Sequence, residues 1–507
     1  MTYSKNKNTP RINYLVPFLS WLRGYNAEML RHDSLAGLTV AVILIPQAMA
    51  YAMLAGLPPV YGLYAAAVTP MIGGLWGSLR QLSTGPIAIT SLLVFVAVSS
   101  MATPGSPEYV ELALLLSLIV GTLYLVSGFL RLGQMMSFIS HSAVKGFTAA
   151  VAVIIVAAQL PHLMGIEVNR HEYILFMLVE IAANLHKIHL PTLVTGFSCF
   201  LFIYTVKKYR PAFPAALTAL FVATLFIFFF RLHETGIAVL GQNPAGLPGF
   251  HFPPMDPETV SDLIGPAMVI ALVGFVETYS IAKTISAESR QKLDVNQELI
   301  GQGLSNLAGG LFQSFPVSGS FSRTAVNYAA GAKTGVASII ASMIVMVTLL
   351  FLMPLLTYIP KAGLAAVVVG AVLTLFHPAQ VFRLWQMNRD DGIVAVTVFL
   401  LALLVKPDYA LLIGVVVSLI FFFWKTMHPR IVEITKDPEF NLFVNADTTG
   451  KPGCPQILHI RSDNVIFFAN AEYTVEHILE RVETVERPTE ISAGRFSGRR
   501  LHRHHRH

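Results

Sequence analysis

Apolar stretches of about 20 residues, the length that crosses a bilayer, recur along the chain. They fall at 35–54, 56–77, 84–101, 109–130, 143–164, 191–207, 213–231, 261–283, 296–311, 321–330, 334–358, 361–377, 391–406 and 409–426. In most of these stretches, 296–311 and 321–330 excepted, the apolar positions run on with few polar breaks, which predicts buried or lipid-facing helices rather than surface amphipathic ones. The count is fourteen spans, some of them shorter than a bilayer needs. The segment 172–186 (EYILFMLVEIAANLH) is shorter and mixed, and reads as an interfacial helix. Residues 1–33 are polar and basic and form a predicted cytoplasmic segment. No small-residue cleavage site follows them, so no cleavable signal peptide is expected.

Lys and Arg placement orients the spans. With the N-terminus inside, the inner loops and span ends hold Arg80, Arg131, Lys145, Lys207, Lys208, Arg210, Lys283, Arg290, Lys292, Lys333, Arg383 and Arg389. The outer ones hold only Arg170, Lys187, Arg231, Lys361 and Lys406. An even span count returns the C-terminus to the same side, and a cell (inner) membrane is the expected location. The longest polar break within the membrane region, 232–260, is rich in Pro and Gly (GQNPAGLPGFHFPP) and ends in PMDPETVSD, a helix start. It divides the transmembrane region 34–427 into 34–231 and 261–427, seven spans each. A half with an odd number of spans is inverted relative to its partner, the arrangement of inverted-repeat secondary transporters.

The halves share a defect. The third span opens with Ser83-Thr84-Gly85-Pro86, and the tenth with Ser314-Phe315-Pro316-Val317-Ser318-Gly319-Ser320. Pro and Gly break the helical ladder, and broken backbone at membrane depth is tolerated only against protein or a cavity. A half-helix starting there presents free N–H groups and a positive dipole end. Two that face each other make an anion site, with Thr84, Ser318, Ser320 and Ser322 as further hydroxyl donors and Arg323 as a cation. Ordinary kinks and helix-to-helix hydrogen bonds explain one such break; the matched pair beside an arginine favours the site. Gln47, after Pro46 in the first span, is either an anion donor or helix-to-helix glue. Glu277 in the eighth span is either a carrier of a coupling proton or the counter-ion of Arg323. Asn296, Gln297 and Asn306 read as packing groups.

Composition narrows the class. Of 507 residues, 54% are hydrophobic and 13% charged, where a soluble domain carries roughly 25% charged residues. Disordered, coiled-coil, disulfide-scaffold and soluble multidomain readings are excluded. Of the net charge of +6, +5 comes from six arginines and Glu490 in the stretch beginning at Arg487, so the charge gives no support for nucleic-acid binding. Cys199 and Cys454 make no metal or redox motif. No nucleophile elbow, phosphate loop, HExxH helix or catalytic carboxylate pair occurs, so neither an enzyme nor a cofactor or metal is expected.

Several motifs then carry a resemblance: LIPQAMAYA from Leu44, AGLPPVYGLY from Ala55, Ser83-Thr84-Gly85-Pro86, and NQEL from Asn296 with GSFSR ending at Arg323. Over about residues 12–483 the chain resembles the sulfate permease family, relatives of plant sulfate transporters and animal anion exchangers. The resemblance implies an all-α polytopic fold of fourteen spans in two inverted repeats, sorted into core and gate domains, with alternating access. It implies sulfate uptake coupled to protons or sodium, with bicarbonate, chloride or dicarboxylate exchange, or an anion channel, as rivals on the same scaffold. Carried over by motif, Gln47, Gly85, Pro86, Ile87, Ala88, Ser320, Phe321, Ser322 and Arg323 hold the anion and Glu277 couples the cation. The partners implied are the inorganic anion, the coupling ion, the lipid bilayer and a second copy in a homodimer. The family ends in a cytoplasmic STAS domain. Here 428–486 reads as only its start, with strands at 456–460 and 464–469 and a helix from Ala471 to Glu486. Residues 487–507, with His502, His504, His505 and His507, read as a disordered tail of frame-shifted or truncated character rather than a metal site.

Overall fold

The computed structural model describes residues 17–133, 141–168, 174–210, 213–241, 246–373, 383, 385–386, 388–405, 407–437, 442–450 and 458–483. The tail 487–507 lies outside them. Contacts divide the chain into two units, Met1–Ser418 and Leu419–His507.

The first unit is helical. In chain order its main helices are α1 (Ala27–Leu54), α2 (Pro59–Trp76), α3 (Ala88–Val98), α4 (Pro107–Phe129), α5 (His141–Met164), α6 (Leu190–Tyr209) and α7 (Ala215–Phe229). After the Pro- and Gly-rich break come α8 (Pro257–Ser289), α9 (Val295–Leu311), α10 (Phe321–Ala329), α11 (Val336–Val347), α12 (Lys361–Val372) and α13 (Arg389–Leu404), and α14 (Pro407–Met427) runs across the boundary at Ser418. A helix stands in every stretch where apolar continuity predicted one. The mixed segment expected at the interface forms a helix at Ile174–Ala183, whose Ile174, Met177 and Ile181 are buried. Among the described residues six helices are long and apolar enough to cross a membrane by length and composition. Apolar side chains such as Phe197 (59% exposed) and Phe351 (74%) point outward, a surface suited to lipid rather than water.

Local signals set the helix starts. Asn26 accepts from the Met29 amide at 2.9 Å, Ser106 from Tyr109 at 3.1 Å and Asp256 from Thr259 at 3.2 Å; the latter two precede a Pro at the first helical position, where its missing N–H costs nothing. Small residues then permit close packing. A Cβ on Gly121 of α4 would stand 2.7 Å from the Leu307 amide and 2.9 Å from the Gly303 carbonyl of α9, so these backbones touch directly. One group of helices gathers around α9: α4 and α2 pack on it, α11 on α1 and α2, α8 on α4, and α10 on α1. A second group joins α5 to α12 and α13, and α6 to α7 and α12.

The helices of the third and tenth spans are short. α3 has 11 residues and α10 has 9, or about 16 and 14 Å at 1.5 Å per residue, half a bilayer. Each follows an extended segment, so the Pro–Gly openings of the third and tenth spans are not helical. In the second unit, β3 (Ile431–Lys436) pairs antiparallel with β4 (Phe443–Asn445) and β5 (Ile460–Ser462), and α15 (Ala471–Glu483) follows. The strand expected at 464–469 is absent. Asn470 takes its backbone groups instead, accepting from Phe467 N at 2.9 Å and donating to Val465 O at 3.1 Å, and so folds the segment as a loop. The expected strand at 456–460 begins only at Ile460 among the described residues.

Candidate anion site at two facing helix starts

β1 (Thr84–Gly85) and β2 (Ser318–Gly319) form a two-residue antiparallel ladder in which Thr84 faces Gly319 and Gly85 faces Ser318. Ser320 N extends it with a bond to Ser83 O at 2.9 Å. α3 begins three residues after β1, and α10 two residues after β2, so the two interrupted segments start their helices side by side, as the matched Pro–Gly pattern predicts. Pro86 and Pro316 each bias the preceding residue toward extended backbone. Gly85 has φ +151°, and a Cβ there would lie 3.2 Å from Arg323 Nη2, so both conformation and space call for glycine.

Side chains from α8 and α9 hold the ladder. Asn306 accepts from Val317 N at 2.9 Å and donates to Val317 O at 3.1 Å. Thr278 Oγ1 accepts from Gly319 N at 3.0 Å and shares a 2.8 Å hydrogen bond with Ser318 Oγ. Gln302 Nε2 donates to Thr84 Oγ1 at 2.9 Å. Asn296 and Gln297 also serve packing: Asn296 Oδ1 accepts from Gly133 N at 3.0 Å and Gln297 Nε2 donates to Trp76 O at 2.8 Å.

Several expected ligand donors are therefore reassigned. Ser318 Oγ donates to Gly274 O at 2.6 Å, and Thr84 is engaged by Gln302, because a buried hydroxyl takes the nearest protein partner. Pro86 carries no N–H, and its carbonyl is already an acceptor for Arg323. Ser320 caps α10 through a long 3.5 Å contact from Arg323 N. At α3 the first intrahelical bond runs from Ser91 N to Ile87 O at 3.0 Å, so the free amides begin at Ala88, C-terminal to Gly85 and Pro86. Phe321 and Ser322 are exposed, whereas Arg323 is fully buried.

Arg323 staples the junction. Its Nη1 donates to Pro86 O at 2.9 Å and to Gln47 Oε1 at 3.4 Å, and Nε reaches Ser83 Oγ at 3.4 Å. Its Nη2 is buried without a hydrogen-bond partner. Gln47 thus spends its carbonyl on the arginine and keeps its Nε2 amide as a donor. Glu277 Oε2 is also buried without a partner. Among the described residues no direct ion pair joins Glu277 to Arg323, but the two buried charges lie within electrostatic range of each other, so both roles read from the sequence stay open. Tyr51, on α1, lies within electrostatic range of both.

Sequence reasoning missed Thr90 and Ser91. Their hydroxyls, in the first turn of α3, are buried without hydrogen-bond partners. The signal was available: hydroxyls within one turn of a broken helix start. It missed Tyr51 as well, although that residue closes the LIPQAMAY run.

Apolar helices that gather unmet donors at two half-helix starts define a multi-pass membrane transport protein, not an enzyme. The chain matches the Sulfate permease family over residues 30–398 and belongs to that family. It is 36% identical over 491 residues to a chloroplastic sulfate transporter, 4.1, of Arabidopsis thaliana, covering 94% of this chain and 71% of that one. It is 34% identical over 458 residues to a probable sulfate transporter of Mycobacterium tuberculosis, covering 90% and 81%. In fold it is similar to murine Solute Carrier 26 family member A9, an anion transporter captured in an inward-facing state, with TM-score 0.83, 24% identity, and 96% and 83% of the two chains covered. The transmembrane domain of a cyanobacterium bicarbonate transporter aligns with TM-score 0.67 at 20% identity, covering 78% and 98%. The protein is a membrane anion transporter of this family.

Proposed function

We propose that the chain takes up sulfate by alternating access, driven by protons or sodium. The observation that carries this reading is the meeting of α3 and α10 at the Thr84–Gly319 ladder beside two buried donors without partners, Arg323 Nη2 and the Ser91 hydroxyl, with Gln47 Nε2 as a third donor next to the arginine. An oxyanion placed there accepts from all three and from the amides after Ile87. Ala88, Ser320, Phe321 and Ser322 complete the binding set with Gly85, Pro86 and Ile87 as its frame. Membrane potential opposes anion entry by about 2.3 kcal/mol per charge per 100 mV, so uptake of a divalent anion requires a coupled cation, and Glu277 is its carrier.

In this reading all fourteen helices span the membrane as two inverted sets of seven, 34–231 and 261–427. The group around α9 is the core that holds the site, and the group around α5 and α12 is the gate. Both termini face the cytoplasm, 428–486 begins a STAS domain, and the protein works as a homodimer. The names of the relatives support sulfate, while the bicarbonate transporter of similar fold keeps exchange of other anions as the rival.

Counterflow in proteoliposomes against a panel of anions, with proton and sodium gradients varied separately, tests both. Sulfate counterflow that accumulates only with one cation gradient is expected. Glu277→Gln is expected to lose gradient-driven accumulation and to keep sulfate binding. Flux that tracks voltage and ignores both gradients would replace the carrier reading with a channel.

A further inference from the structure

A cavity of about 760 Å³ lies at the opposite end of α3 from the paired helix starts. Leu92 and Phe95 of α3 form one wall, α5 supplies Gln159 and His162, and α12 supplies Lys361. The start and end of α3 are about 16 Å apart, so the cavity is separate from the ladder. Leu92, 3% exposed, stands between the two.

Two groups in this cavity lack a side-chain partner among the described residues. Gln159 is 4% exposed, yet its side-chain amide makes no hydrogen bond to the described residues. Buried amides are kept where something satisfies them. Lys361 is half-buried, and among the described residues no carboxylate pairs with its ammonium. Its backbone N–H is already used, donating to Ala238 O at 2.9 Å, so the side chain rather than the helix start is what the cavity offers. Glu167, the one carboxylate among the described residues lining the cavity, is exposed at its rim, where water and salt screen it. A half-buried cation is screened less and attracts anions into a confined space.

We propose that this cavity is a second subsite for the transported inorganic oxyanion, a waiting station on the side that charge placement assigns to the exterior. The anion keeps part of its hydration there, held by Lys361 Nζ and the Gln159 amide, before it passes Leu92 and Phe95 to the helix starts. The proposal rests on the anion-transport reading of the central site.

Sulfate uptake by the full chain in oriented vesicles tests it. Lys361→Gln and Gln159→Leu are each expected to raise KM for external sulfate about tenfold with kcat held within about twofold. KM from the internal face should not change, and Lys361→Arg should keep the wild-type KM. An unchanged external KM in both variants would leave the cavity to water and overturn the proposal; so would an equal rise from both faces. A second measurement needs no turnover. In a Cys199→Ala, Cys454→Ala background, Ser99→Cys, which lines the cavity and keeps Lys361 and Gln159, is treated with an anionic thiosulfonate, and sulfate is expected to slow its modification severalfold. No protection overturns the subsite. Protection in a chain that moves no anion under any gradient would instead defeat the transport reading alone.

Discussion

Arg323 on α10 donates to the carbonyl oxygen of Pro86 at 2.9 Å, so the cation of one half of the chain is fastened to the broken backbone of the other. The same guanidinium reaches Gln47 and Ser83, using the fork geometry that only arginine has. Lysine keeps the charge but cannot span three acceptors. Arg323→Lys is expected to lower kcat/KM for anion uptake about tenfold or more. Transport kinetics equal to wild type would show that charge alone is needed.

Ser91 gives a prediction with opposite signs in two assays. Its buried hydroxyl has no hydrogen-bond partner among the described residues, and such a group costs about 1–3 kcal/mol. Ser91→Ala is expected to raise the thermal midpoint of the empty protein and to weaken sulfate binding. A loss of stability with unchanged affinity would assign the hydroxyl to packing.

Gly85 cannot gain a methyl without meeting Arg323 Nη2 at 3.2 Å, at a φ of +151°. Gly85→Ala is expected to cost about 1–3 kcal/mol, read as a lower thermal midpoint in detergent. A midpoint equal to wild type would mean that the ladder relaxes around the new side chain.

Asn306 satisfies both backbone groups of Val317. Asn306→Leu leaves them unpaired in the core, at about 1–3 kcal/mol each. Asn306→Asp keeps an acceptor for Val317 N and loses the donor to Val317 O. The expected order of thermal midpoints is wild type, then Asn306→Asp, then Asn306→Leu; a reversal of the last two would deny the clamp.

Asp33, buried on α1, accepts from Lys333 N at 2.7 Å, Thr334 N at 3.1 Å and Tyr25 Oη at 3.2 Å. Burial, and then the Asp33 carboxylate, push the Tyr25 phenol from its ordinary 10.0 up to about 12. A raised acid favours the neutral form in the folded state. The contribution of Tyr25 is therefore full below pH 10.0 and lost as pH rises toward 12. Thermal midpoints followed across that window should fall less steeply in Tyr25→Phe than in wild type. Parallel curves would show that the phenol does not sense the carboxylate.

The helices were legible in the sequence because lipid-facing and buried apolar residues write the same continuous pattern. The junction was legible because Pro86 and Pro316 mark their own neighbours as extended. What the hydroxyls do was not legible. Thr84 is spent on Gln302 and Ser318 on Gly274, contacts that join positions far apart in sequence, and no local pattern encodes them. The fate of 464–469 was hidden in the same way: its Val, Ile and Phe suit a strand, but the side chain of Asn470 claims the backbone first.

The four-residue ladder sets what can move. Because Thr84–Gly85 and Ser318–Gly319 share backbone hydrogen bonds, and Arg323 crosses between them, the two helix tips behave as one solid piece. In the proposed reading, a bound ion cannot be released by prising them apart without breaking that seam. Any stroke that shifts cargo must carry both tips as a sled, with the sliding surface elsewhere in the molecule.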